Sequence, residues 1–184
     1  MSGVLYNSVW NHLTGRPSGH GIKDIDLFYF DDSDQSYEAE DAVIKRGEAA
    51  FAGLAFPVEI RNQARVHLWF EQRFGAPCPK FENCHESIRR FASKTHAVGV
   101  KLVRDGSLLL DAPFGLDSIF SFRLTPNYAG DNRRTHQGKA ERQMKLWPDL
   151  TLEPWRAPPY FCAFNSGIDI TPSPFASALL KPMP

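Results

Sequence analysis

The sequence predicts a domain of the α/β (α+β) class, in which helices flank a mixed sheet. Residues 58–69 alternate apolar and polar side chains, as half-buried strands do, and another strand is predicted at residues 23–30, where Asp24 and Asp26 alternate with Ile25 and Leu27. Residues 98–112 place Asp105-Gly106 between two apolar runs, which predicts a β-hairpin. Segments with helical spacing separate these strands without a regular βαβ alternation. Because no Gly-x-Gly-x-x-Gly follows a strand, we do not predict a Rossmann fold.

The chain opens with a predicted helix over residues 3–13, in which Leu5, Val9 and Trp10 recur at helical spacing. Residues 14–21, rich in glycine, predict a loop into the first strand. An acidic run follows that strand, and acidic residues in a first turn favour a helix macrodipole. We therefore interpret the run as the start of a helix that continues to about Leu54.

The second predicted strand begins after Pro57 and extends to Trp69. Val58, Ile60 and Asn62 share its apolar face, and we expect Asn62 to be structural because a buried amide must find hydrogen-bond partners. Further helices are predicted at residues 84–94, 116–124 and 131–147, and we expect Trp10 and Trp147 to lie in the core.

Composition places the chain among ordinary globular proteins, with 184 residues, 42% hydrophobic and 23% charged. Its net charge of +0 gives no support to a nucleic-acid partner, although a local basic patch remains compatible with it. No apolar run of about 18 residues and no secretory signal is visible, so we expect no membrane partner and a cytoplasmic location. Three cysteines fit a reducing compartment better than a disulfide framework.

The end of the chain differs from the rest. Half of the 14 prolines lie within residues 154–184. We therefore predict a folded domain over residues 1–155 and an irregular or partly disordered tail over residues 156–184.

Two aspartates form the most informative pattern. Asp24 and Asp26 alternate along the first strand, so both side chains project from one face. Two neighbouring carboxylates repel each other unless a positive charge lies between them or they are exposed at a strand end. A divalent metal meets the first condition, since Mg²⁺ is commonly held by one or two carboxylates together with substrate phosphates. The alternative is a strand end that continues into an acidic turn.

Two further pieces can meet this pair if the strands are neighbours. Ser2-Gly3 precedes the first helix, where small residues let backbone N–H groups approach a phosphate. Glu59 lies on the second strand and could be a third metal ligand or a base, or it could simply pair with Arg61.

The order Ser2-Gly3, helix, Asp24-x-Asp26 and a later acidic residue resembles the nucleotidyltransferase superfamily with the DNA polymerase beta-like fold. A closer resemblance is to a bacterial family of nucleotidyltransferase-like proteins, over roughly residues 2–150. The stretches that carry it are Tyr6 to Leu13, Lys23 to Asp26, Asn62 to His67 and Ala112 to Asp117.

This resemblance implies Mg²⁺-dependent or Mn²⁺-dependent transfer of a nucleotidyl group from an NTP such as ATP. Asp24, Asp26 and Glu59 would be the catalytic and metal-binding residues. The nucleotide would contact Ser2, Gly3, Lys23, Arg65 and His67. For Arg65 and His67 the alternative is an exposed polar sheet face, and for Lys23 it is a solvated lysine. The acceptor is not identified by the resemblance, and the same fold could also serve as a nucleotide-binding or protein-interaction module without chemistry.

Overall fold

The structure, a computed structural model, describes residues 3–156. The described residues up to Pro154 form one compact unit. Ser2 and the predicted tail beyond residue 156 lie outside the described residues. The helices are α1 (Gly3–Leu13), α2 (Tyr37–Phe51), α3 (Val66–Phe74), α4 (Cys84–Arg89), α5 (Asp117–Phe120) and α6 (Arg133–Leu146). The strands are β1 (Ile25–Tyr29), β2 (Val58–Asn62), β3 (Gly99–Leu102), β4 (Leu108–Asp111), β5 (Arg123–Leu124) and β6 (Thr151–Leu152).

The strands of the described region pair in three two-stranded sheets. β1 and β2 are parallel, β3 and β4 are antiparallel, and β5 and β6 are parallel. The α+β class is thereby confirmed, with parallel and antiparallel pairing distributed over separate small sheets. The predicted hairpin is confirmed as well, and Gly106 supplies the left-handed residue of its turn at φ +85°.

The second predicted strand is too long, because β2 ends at Asn62 and not at Trp69. The Asn62 side chain accepts a hydrogen bond from the Ala64 N–H at 3.1 Å and caps a 3₁₀ turn at Gln63–Arg65. This turn leads directly into α3. The residues after Asn62 alternate in sequence, but they form a turn and a helix. Arg65 and His67 are therefore not on the sheet face of Glu59.

Three predicted helices are shorter in the structure. The segment predicted at 84–94 ends as a helix at Arg89, and α5 covers only Asp117–Phe120. The second helix begins at Tyr37, where the Ser36 hydroxyl accepts a hydrogen bond from the Ala39 N–H, and it ends at Phe51. The longest helix of the described residues is α2, with 15 residues. No helix in this part of the chain is long and apolar enough to cross a membrane.

The main core joins α1 and α6 with the short elements between them. Its buried members are Tyr6, Trp10, Val98, Ile119, Leu124, Ala140, Trp147 and Leu150. Trp10 and Trp147 are both fully buried, which confirms the prediction that they are core residues. Their ring centroids lie 5.4 Å apart. Each indole N–H is also satisfied, by the Ile119 carbonyl at 2.9 Å and by the Asn11 side-chain oxygen at 3.1 Å.

Candidate active site

Asp26 and Glu59 lie side by side on the two parallel strands. The register of β1 against β2 pairs Asp26 with Glu59, as well as Ile25 with Val58 and Leu27 with Ile60. Neighbouring residues in register project from the same face of a sheet. The structure thus confirms that the two strands are neighbours and that the acidic residues of both share one face.

Asp24 and Asp26 line a small pocket of about 170 Å³ together with basic and small residues. Gly3 contributes from the first turn of α1, and Lys23 and Gly21 come from the loop before β1. Lys139 and Arg142 reach the pocket from α6, and the remaining lining residues are Tyr6 and Asn7. Two carboxylates and three cationic side chains therefore converge on one cavity.

The carboxylate of Asp26 is in a surrounding that disfavours its charge. Burial raises the pKa of Asp26, and the neighbouring charge of Asp24 raises this pKa further. Burial also lowers the pKa of the Lys139 ammonium, an effect that the nearby carboxylates of Asp26 and Asp24 oppose. The three groups thus interact inside a partly dehydrated pocket, where an electrostatic interaction is stronger than in water.

The N-terminus of α1 gives this pocket anion-binding character. The helix begins at Gly3 and, among the described residues, has no acidic side chain in its first turn to offset its positive dipole end. Asn7, which is only 4% exposed, donates to the Gly21 carbonyl at 3.4 Å. Among the described residues its side-chain oxygen has no hydrogen-bond partner. This buried amide oxygen suits a hydrogen-bond donor of a ligand, such as a hydroxyl group, and not a phosphate oxygen, which has no proton to donate.

Glu59 is placed differently from the two aspartates. Its side chain is 54% exposed, its carboxylate lies 3.9 Å from the Arg61 guanidinium, and it does not line the pocket. Within residues 3–156, no three His, Cys, Asp or Glu side chains are grouped closely enough to hold a metal together. Glu59 is near Asp26, but its role as a third metal ligand stays a prediction.

Arg65 and His67 are not brought to the pocket. Arg65 is buried, forms an ion pair with Glu40 of α2, and donates from Nε to the Gln35 carbonyl at 2.8 Å. His67 lies on the first turn of α3. Arg65 therefore joins β2 and α2, and its contact with a nucleotide, like that of His67, stays a prediction.

Asn62 has the structural role that its buried position predicted. Its side-chain oxygen accepts from the Asp31 N–H at 3.1 Å, and its amide donates to the Asp31 carbonyl at 2.7 Å. These bonds fix the chain immediately after β1 against the end of β2.

Lys139 and Arg142 are the pocket residues that the sequence reasoning missed. They lie three positions apart on α6 and so share one helix face, whereas the buried positions of α6 are His136, Ala140 and Gln143. Two basic residues beside the buried positions of a helix are a usable signal, but only the folded chain brings these side chains to the pocket of Asp24 and Asp26.

A family model described as nucleotidyltransferase matches residues 1–152. The chain belongs to this nucleotidyltransferase family. A solved NMR structure described as revealing a CCA-adding enzyme head domain is similar to it, with a TM-score of 0.67 and 22% identity, over 84% of this chain and 80% of that chain. At this identity the likeness concerns the fold. No curated protein matches the chain.

Proposed function

We propose that this member of the nucleotidyltransferase family transfers a nucleotidyl group from an NTP to an acceptor hydroxyl, with a divalent metal bound at Asp24 and Asp26. One observation carries the proposal. Asp24 and Asp26 share a pocket with Lys23, Lys139 and Arg142, next to the first turn of α1. Carboxylates for a metal and cations for a triphosphate are the parts that phosphoryl-group chemistry requires.

The aspartate pair fits Mg²⁺ or Mn²⁺ by its donor chemistry. Hard oxygen ligands suit both ions, and Mg²⁺ takes one or two carboxylates and fills its other positions with water and phosphate oxygens. Burial and mutual repulsion raise the pKa of Asp26, so a cation at this position would relieve an existing electrostatic cost. When bound, the metal would neutralise the charge that develops on the phosphate oxygens.

The protein's own residues would orient the triphosphate and take the proton of the acceptor hydroxyl. The N–H groups at Gly3, with Lys23 and Arg142, would hold the β- and γ-phosphates. The acceptor oxygen would form a bond to the α-phosphorus while the bond from this phosphorus to the bridging oxygen breaks, and pyrophosphate would leave with that oxygen. The proton of the acceptor hydroxyl would pass to the Glu59 carboxylate beside Asp26.

A nucleotide-binding module without chemistry is the second candidate. The position of Glu59 favours it, since this carboxylate lies 3.9 Å from the Arg61 guanidinium and does not line the pocket in which it would have to act. This candidate predicts NTP binding that is unchanged when the metal is removed.

Substitution of Asp24 by Asn distinguishes the candidates. We expect Asp24→Asn to abolish the Mg²⁺-dependent part of the binding of a non-hydrolysable ATP analogue, measured by isothermal titration with Mg²⁺ and with EDTA. The matched control is Asp32→Asn, which changes an exposed aspartate of the loop after β1 that does not line the pocket. Equal metal dependence in the wild type and Asp24→Asn would contradict the proposal.

A further inference from the structure

A second cavity adjoins the small pocket of Asp24 and Asp26, which we call the phosphate pocket, and shares Asp26 and Lys139 with it. Its volume is about 740 Å³, within the range of about 300–1,000 Å³ that small-molecule sites occupy. The phosphate pocket is too small for more than part of a nucleotide, at about 170 Å³. Asp26, which lies at the meeting point of both cavities, is the position to which an acceptor in the larger cavity would present its reactive group.

Aromatic rings line much of this larger cavity. Phe28 of β1 and Phe91 meet edge to face with centroids 6.1 Å apart. Phe70 and Phe74 of α3 lie 4.6 Å apart, and Phe74 is 52% exposed. Phenylalanine rings that line a cavity, one of them the exposed Phe74, are suited to stacking on a planar ligand, and base stacking of this kind tolerates any base.

Basic side chains accompany these rings. Arg73, Arg90 and Arg134 line the cavity together with Lys139, against the two carboxylates of Asp26 and Asp131. Arg90 is held in place by a hydrogen bond from its guanidinium to the Ala129 carbonyl at 3.0 Å. The chain has a net charge of +0, but the cavity has an excess of positive charge. An occupant with phosphate groups would complement it.

We propose that the acceptor is itself a nucleotide unit, whose base stacks on the phenylalanines and whose phosphate contacts the arginines of this cavity. The inference rests on the proposed nucleotidyl transfer and names the acceptor class of the same site. A terminal ribose hydroxyl of the bound unit attacks the α-phosphorus of the NTP beside Asp26, a phosphodiester forms, pyrophosphate leaves, and the proton goes to Glu59. The nucleotide unit can come from the end of a single-stranded nucleic acid or from a free nucleotide.

Binding of a fluorescent single-stranded hexaribonucleotide tests the cavity independently of catalysis. Fluorescence anisotropy is measured with the full chain, in the presence of saturating Mg²⁺ and non-hydrolysable ATP analogue, and AMP is the competitor. We expect the oligonucleotide to bind with the analogue present. Displacement by AMP at concentrations similar to that of the oligonucleotide assigns the site to a free nucleotide, and the absence of displacement assigns it to a strand end.

Two exposed residues of the cavity have matched controls outside it. Arg134→Gln should reduce the slope of log K against log salt, where K is the binding constant of the oligonucleotide, by about 0.7, the value for one lost phosphate contact with a single strand. Arg133→Gln, at the neighbouring residue outside the cavity, should leave this slope unchanged. Phe74→Leu should weaken binding about fivefold or more through lost stacking, whereas Phe120→Leu, at a ring that is 55% exposed elsewhere, should not.

The outcomes separate this inference from the proposed function. If the ATP analogue binds through Asp24 but neither the oligonucleotide nor AMP binds, the acceptor inference is overturned and the proposed function stands. If the analogue displaces the oligonucleotide, and Phe74→Leu weakens the binding of the analogue and of the oligonucleotide equally, the cavity holds the base of the NTP. The inference is then overturned as well. If the oligonucleotide binds and responds to Arg134→Gln and Phe74→Leu while Asp24→Asn has no effect on the analogue, the cavity stands and the proposed chemistry fails.

Discussion

The environment of Asp26 disfavours the ionised form of its carboxylate. Burial and the adjacent Asp24 both raise its pKa, so the ionised form costs free energy in the folded protein. Asp26 shares a small pocket with a second carboxylate, that of Asp24, and with the Lys139 ammonium. Such a cost is expected where a residue is retained for a ligand, because a bound cation would offset it.

We expect Asp26→Asn to raise the melting temperature of the metal-free protein at about pH 7, because it removes a carboxylate whose folded pKa lies above its unfolded value. Because the pKa of Asp26 is raised, the wild type loses stability as the pH rises through this pKa. The difference in melting temperature between Asp26→Asn and the wild type should therefore shrink in acid. Differential scanning calorimetry in EDTA measures this. Asp32→Asn is the control and should melt like the wild type. A lower melting temperature for Asp26→Asn would contradict this reading of the pocket.

Arg65 is a structural cation within the same part of the chain. Its ion pair with Glu40 is buried, with side chains 10% and 8% exposed, and it joins the turn after β2 to α2. We expect Arg65→Met to cost about 3–5 kcal/mol, since it leaves the Glu40 charge buried without its partner. Urea denaturation measures the loss. Lys45→Met, which breaks the exposed pair with Asp41, should have little effect, and similar losses in both variants would refute the assignment.

At the scale of elements, α2 packs closely on β2 through a glycine. Gly47 lies in α2, and a Cβ at this position would collide with Cδ1 of Ile60, a buried residue of β2, so the Ile60 side chain or the helix would have to shift. Helical glycines usually cost stability relative to alanine, so a glycine here indicates that the close approach of helix and strand is needed.

Two glycines in helices should therefore respond to alanine in opposite directions. Gly47→Ala should destabilise the protein through the collision with Ile60. Gly138→Ala on α6, where nothing lies within 4 Å of the new methyl group, should stabilise it by about 0.5–1 kcal/mol. Chemical denaturation of both variants provides the comparison. If both substitutions stabilise, α2 and β2 do not approach as closely as the structure has them.

The elements were predictable from sequence where local pattern and local chemistry agree. The alternation from Asp24 to Leu27 and the Asp105-Gly106 turn correctly indicate β1 and the hairpin, because the side-chain period of a strand and turn geometry are local properties. The alternation after Asn62 is misleading because a side-chain cap at Asn62 starts a turn and a helix there. Capping competes with strand formation, and an alternating pattern alone does not reveal it.

At the scale of the whole molecule, the core and the site share α1 and α6. His96, which is fully buried, donates from Nε2 to the Gln143 side-chain oxygen of α6 at 2.8 Å and contacts the ring of Tyr6 on α1 at 4.7 Å between centroids. Burial, with the nearby Lys139 charge, lowers the pKa of His96 to about 3. The same packing that positions Lys139 beside Asp26 therefore requires a neutral histidine.

This requirement predicts acid sensitivity. A histidine with a lowered folded pKa contributes stability above its unfolded pKa of 6.5, and this contribution is lost as pH falls below that value. We expect the free energy of unfolding to fall by up to about 1.4 kcal/mol for each pH unit between about 6.5 and 5. His136, whose pKa burial also lowers, acts in the same direction. Urea titrations at several pH values measure the slope, and a slope of zero, or one that His96→Gln leaves unchanged, would contradict the account.

The whole-molecule arrangement was the part that the sequence could least predict. Net charge and composition describe the chain as neutral, but the fold gathers Arg73, Arg90 and Arg134 around one cavity. Lys139 likewise becomes a site residue only because α6 packs on the core beside β1. The aspartates could be found from a two-residue period, whereas these cations come from separate segments whose meeting is decided by tertiary packing.

The central claim is that Asp24 and Asp26 hold the metal of a nucleotidyl-transfer site. A crystal of the protein grown with Mn²⁺ and a non-hydrolysable NTP tests it most directly, since anomalous scattering locates the ion independently of the nucleotide. We predict Mn²⁺ coordinated by both aspartates, with the triphosphate extending toward Gly3, Lys139 and Arg142. Nucleotide bound with Mn²⁺ away from both aspartates, or nucleotide bound outside this pocket, would contradict the account.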